Sequence, residues 1–110
     1  MEVKAKKTIK ELPEDERPRE KLLKYGADKL SDSELLAILL RTGTKGKSAI
    51  EMAKEILKSA GGTFKGLAGK DIDEITKTPG IKNAKVITIA AALEISRRVS
   101  KQILKDKGII

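Results

Sequence analysis

Residues 41 to 49 read RTGTKGKSA, and within them Gly46-Lys47-Ser48 is the trio that closes a nucleotide-triphosphate loop. Glycine, lysine and a hydroxyl in that order suit phosphate, through exposed amides, a point cation and a small donor. The nucleotide version needs a further glycine five positions before Gly46, directly after a buried strand. That position holds Arg41, and the preceding SELLAILL reads as helix. What remains is a nucleic-acid phosphate or no ligand at all.

A second stretch, TPGIKNAK at residues 78 to 85, repeats the same ingredients around Gly80. SDSELLAILLRTGTKGKSAIEMAKEIL and DIDEITKTPGIKNAKVITIAAALEI each read as a capped helix, a glycine turn at Gly43 or Gly80, and an amphipathic helix. This predicts a tandem repeat of one supersecondary unit.

Charge placement separates the two helices of each unit. A helix start carries partial positive charge, so acids there stabilise and an exposed lysine costs about 0.3–1 kcal/mol. Asp32 and Glu34, then Asp71, Asp73 and Glu74, obey that rule. Lys45 and Lys47, then Lys82 and Lys85, break it, with no acid between Leu35 and Ile50 or between Ile75 and Leu93. A bound anion supplies the missing compensation, and a turn glycine lets backbone approach it. Acid-free basic windows also occur at residues 56 to 70 and 95 to 105, and turn glycines suit helix ends whatever the function. A plain helical bundle therefore stays open beside the phosphate site.

The supporting elements are helical. Pro18 suits the first turn of a helix that stops at Gly26. Ser31 and Glu34 form a capping box for a helix running to Gly43. Ala49 to Ala60 alternates apolar and charged faces until Gly61-Gly62, and GGTFKGLAGK reads as a linker with one short turn around Phe64 and Leu67. Asp71 and Glu74 cap a short helix that Pro79-Gly80 stops. A last helix spans about Asn83 to Leu104, apolar nearly all round from Val86 to Leu93 and so expected at the centre of the core.

At 110 residues the chain is expected to form one domain with an aliphatic core. The absence of Cys and His excludes thiol chemistry, Ser/His/Asp triads and zinc fingers, and no cofactor or metal is expected. No catalytic constellation remains; a lysine-based glycosylase lacks any inferable pocket. A net charge of +8 favours a polyanionic partner. With only Tyr25 and Phe64 as aromatics, the duplex backbone is a better target than stacked single-stranded bases. Without a signal peptide or spanning segment, a soluble cytoplasmic location is expected.

IKELPEDERPREKLLKYGADKLSDSELLAILLRTGTKGKS, continuing through LAGKDIDEITKTPGIKNAKVITIAAALEISRRV, resembles the N-terminal region of the RadC family, prokaryotic proteins named for DNA repair. The resemblance covers nearly the whole chain, and TPGIKNAK is similar to a helix-hairpin-helix signature. It implies an all-α fold: a compact bundle of about five helices with two helix-hairpin-helix-like units over residues 16 to 107. A loose charged arm at 1 to 15 and a linker beginning at 108 to 110 complete the expected organisation. The resemblance implies non-sequence-specific contact with the phosphates of duplex or branched DNA by Gly80, Ile81, Lys82 and Lys85. The second contact would come from Gly43, Thr44, Lys45, Gly46, Lys47 and Ser48. The usual turn reads glycine, apolar, glycine; here Lys82 replaces the second glycine. Family members are similar to metal-dependent hydrolases in a C-terminal half, and the chain ends at DKGII before any such region. The competing reading is a protein-interaction or dimerisation domain that positions such a half, motivated by Ile109-Ile110 and the apolar Val86–Leu93 run.

Overall fold

A computed structural model describes residues 16–44 and 46–110; the arm assigned to residues 1 to 15 and the contact assigned to Lys45 lie outside the described residues. Pro18, whose missing N–H has no role in a first turn, opens α1 (Pro18–Tyr25), and Gly26 at φ 91° ends it. A 3-10 turn (Ala27–Lys29) leads to α2 (Asp32–Leu40). There the Glu34 N–H donates to Ser31 Oγ at 3.2 Å and the Ser31 N–H donates to Glu34 Oε1 at 2.9 Å. The capping box expected from sequence is thus formed.

α2 stops at Leu40, three residues short of the expected Gly43, with Arg41 at the C-cap in a φ of 68°. Gly43 instead permits a close backbone approach, because a β-carbon there would overlap the Lys47 carbonyl and press on Ser48 and Ala49 backbone. α3 (Ala49–Ser59) closes when the Gly61 N–H donates to Lys58 O and the Gly62 N–H to Leu57 O, a Schellman ending.

The turn expected around Phe64 and Leu67 within the linker is a short helix, α4 (Phe64–Ala68). Thr63 Oγ1 accepts from the Gly66 N–H at 3.0 Å, Leu67 is buried, and Gly66 lets the backbone press against the Ala60 carbonyl. α5 (Ile72–Thr76) carries the Asp71/Glu74 capping box, and α6 (Asn83–Asp106) completes the chain. The described residues are all-α, with a lone antiparallel bridge between Thr44 and Lys47 as their β-type pairing.

α2 packs along α3 and against α6, α1 covers α2, α4 rests on α3, and α5 rests on α6. Leu36, Leu40, Met52, Ile56, Leu67 and Ile89 are fully buried between them. Burying each such side chain stabilises by about 1.5–3 kcal/mol.

α6 is not the central helix that its apolar run predicts. Only Val86 and Ile89 are buried along it, whereas Ile87 is 67% exposed. α6 leans mainly on α2 and α5, with Arg97 reaching the Ala68 carbonyl of α4, so most of its surface stays exposed. No described helix is long and apolar enough to cross a membrane.

Candidate nucleic-acid interface

The second glycine turn is built from Thr78 to Ile81, with the Ile81 N–H donating to Thr78 O at 3.1 Å. Proline at the second position and glycine at φ 85° at the third fit a type II turn, which needs positive φ there. The buried Ile81 side chain anchors the turn to the core. Lys82 is then the N-cap of α6, in an extended conformation (φ −105°, ψ 168°) open to any residue. Lysine in place of the second glycine therefore strains nothing. α6 begins with no side-chain cap and no acid in its first turn, and Gly80, Lys82, Asn83 and Ala84 are all exposed.

The first glycine turn differs. Thr44 and Lys47 exchange both backbone hydrogen bonds at 3.0 Å, making a tight loop whose tip includes exposed Gly46 at φ 85°. Ser48 is a cap: its Oγ accepts from the Glu51 N–H at 3.1 Å, and Glu51 supplies an acid to the first turn of α3. Lys47 Nζ pairs with Glu55 Oε2 at 2.9 Å. The start of α3 thus has internal compensation, and the two units are not electrostatic copies.

The turns meet. A β-carbon on Gly80 would lie 2.7 Å from Thr44 Cγ2 and 3.0 Å from Thr44 Oγ1, so the second turn rests directly on the first. Beside that contact, Lys85 Nζ donates to Leu40 O at 2.6 Å, to Thr42 O at 2.7 Å and to Thr42 Oγ1 at 3.1 Å. Burial, and then the charge of Arg41, pulls the Lys85 ammonium below the ordinary lysine value. The three acceptors act the other way by favouring the charged form.

Four lysines were expected at helix starts without partners. Lys45 lies outside the described residues, Lys47 has Glu55, and Lys85 has the end of α2. Lys82 alone of the remaining three keeps a side chain with neither an ion-pair nor a hydrogen-bond partner among the described residues. Ser48-Ala49-Ile50-Glu51 has the same Ser/Glu spacing as the Ser31 box, so the α3 cap was visible in sequence and missed. Arg41, next to Lys85 and in an unusual backbone conformation, carried no sequence signal of its role.

A family model described as UPF0758 N-terminal matches residues 9–87. A UPF0758 protein of Syntrophomonas wolfei is 47% identical over 91 residues, which is 83% of this chain and 39% of that protein. One from Clostridium botulinum is 48% identical over 93 residues, 82% of this chain and 39% of its own length. A UPF0758 protein of Bacillus licheniformis is 43% identical over 102 residues, covering 93% of this chain and 45% of itself. The chain spans about two fifths of the length of these relatives. No solved structure matches it.

Proposed function

We propose, from the premise that this chain belongs to the RadC-like UPF0758 family through its N-terminal domain, that it is a DNA-binding module without sequence preference. It holds duplex backbone phosphate at the Gly80–Lys82 turn, with the Thr44–Lys47 turn packed beside it as part of the same surface. The role is binding, not catalysis.

One observation carries this reading: α6 opens at an exposed glycine turn with lysine at the N-cap, no acid in its first turn and no side chain capping its amides. Unpaired N–H groups and the positive end of the helix dipole then face outward beside a cation, the arrangement that phosphate neutralises. Contacts of this kind fix position on the backbone and read no bases. The overall charge of +8 adds long-range attraction.

Titration of duplex DNA at several salt concentrations tests it. With about three phosphates neutralised, log affinity falls against log salt with a slope of about −3, and Lys82→Ala reduces that slope by about one for every sequence tried. Single-stranded DNA binds more weakly. Affinity unmoved by Lys82→Ala, or a preference for single strands, contradicts the proposal.

A second reading, a protein-interaction domain that pairs with another copy of itself, is favoured by the second half of α6. There Ile95, Val99 and Ile103 form an exposed apolar line, with Ile95 64% and Val99 54% exposed. Arg98, Lys101 and Lys105 flank it, so pairing of two copies strengthens as salt screens their repulsion, opposite to DNA binding. Light scattering that shows a monomer at all salt concentrations removes this reading.

A further inference from the structure

We propose that Lys85 is a positioning residue: it sets the relation between the two turns instead of lending its charge to phosphate. The inference rests on the DNA-binding reading above and assigns this lysine a role within it.

An ammonium has three donors. On Lys85 they are accounted for by Leu40 O, Thr42 O and Thr42 Oγ1, all within 3.1 Å. Leu40 is the last residue of α2, and the last turn of α2 contains no basic residue of its own. Carbonyls at a helix end lack intrahelical partners and sit at the negative pole of the dipole, so a cation there is favourable. Lys85 supplies that cation from the first turn of α6, where the opposite pole would otherwise disfavour it. The two ends compensate each other.

The geometric consequence lies in what is joined. Thr42 leads through Gly43 into the first turn, and Lys85 stands in the first helical turn after Gly80 and Lys82. The latch therefore crosses from the entry of one turn to the exit of the other, parallel to the Gly80–Thr44 contact. To reach a phosphate, the side chain would have to abandon three hydrogen bonds, two of them to backbone oxygens: Leu40 O would keep only the Thr42 N–H, and Thr42 O would lose its charged donor.

Lys85→Met keeps most of the length of the unbranched side chain and removes its donors. In the full chain, hydrogen exchange at the amides of Arg41, Thr42 and Thr44 is expected to accelerate about tenfold or more on this change, as follows from losing charged hydrogen bonds. Duplex affinity falls while the slope of log affinity against log salt stays that of the parent chain, because no phosphate contact is lost. Lys82→Ala gives the opposite pattern, a slope smaller by about one with exchange at those three amides unchanged. A Lys85→Met slope reduced by about one, with exchange at residues 41 to 44 unaltered, overturns the proposal. If the parent chain fails to bind duplex, the DNA reading falls and the exchange measurement still decides whether Lys85 is the latch. Thr42→Val, which removes one acceptor only, gives a smaller acceleration than Lys85→Met; no acceleration in either variant counts against the latch.

Discussion

At Gly80 and Gly43 the same residue type is required for different physical reasons. Gly80 combines φ 85° with Thr44 Cγ2 only 2.7 Å from where a β-carbon would stand, so both backbone and space demand glycine. Gly43 has no positive φ, yet its α-carbon faces the Lys47 carbonyl so closely that no side chain fits. Gly46, at φ 85°, has open space around it. Gly46→Ala is therefore expected to destabilise by about 1–2 kcal/mol, the conformational term alone. Gly43→Ala is expected to destabilise by about 2–3 kcal/mol, because backbone must shift to relieve overlap. Denaturant midpoints of the two variants check the order. A Gly46 change more harmful than Gly43 would contradict the packing described for the first turn. Sequence placed both glycines in turns correctly but assigned Gly43 to the end of α2, since the backbone it presses against is contacted only after folding.

The elements were legible where their signals were local. Ser31 with Glu34 and Asp71 with Glu74 are caps that need no tertiary information, and both formed. α4 showed only as a short turn around Phe64 and Leu67 because five residues are too few to show a period, and its stability comes from Thr63 and the burial of Leu67. Lys85 escaped for the opposite reason: its acceptors lie 43 and 45 residues away. Burial pushes the Glu34 carboxyl up, but the Ser31 backbone hydrogen bond and the Lys21 ion pair outweigh it and hold the group below the ordinary glutamate value of 4.5. A carboxylate lowered on folding stabilises above its unfolded value, and that stabilisation disappears as pH falls through the folded value. Glu34→Ala is expected to destabilise by about 1–2 kcal/mol near neutrality, through loss of the cap and the partly buried pair. The gap between variant and parent then narrows as pH drops below 4.5. Thermal unfolding at about pH 7 and about pH 3 measures it, and a gap independent of pH would refute the assignment.

On the scale of the whole molecule, the fold is an elongated body of 59 × 34 × 24 Å. Its core is gathered around α2, α3 and the first half of α6, while residues 94 to 106 of α6 are exposed on every side. The apolar run Val86–Leu93 promised a central helix because composition cannot say how many neighbours a helix will have. Removing a core anchor shows where stability resides: Ile56→Ala is expected to destabilise by about 2–5 kcal/mol, whereas Ile95→Ala changes the unfolding midpoint little. The same exposed segment carries Arg97, Arg98, Lys101 and Lys105, a second cluster of basic side chains. Arg97 donates to Ala68 O at 2.6 Å, and both arginines pair with Glu94, so part of that charge is already engaged.

Whether the glycine turns meet DNA as proposed is decided most directly by following backbone amide resonances while an unlabelled duplex of arbitrary sequence is added. The amides from Gly80 to Lys85, together with Thr44 and Gly46, are expected to shift first and furthest, in the same way for unrelated duplexes. Shifts concentrated on residues 94 to 105, or spread evenly with the turns unmoved, would contradict phosphate binding at the start of α6.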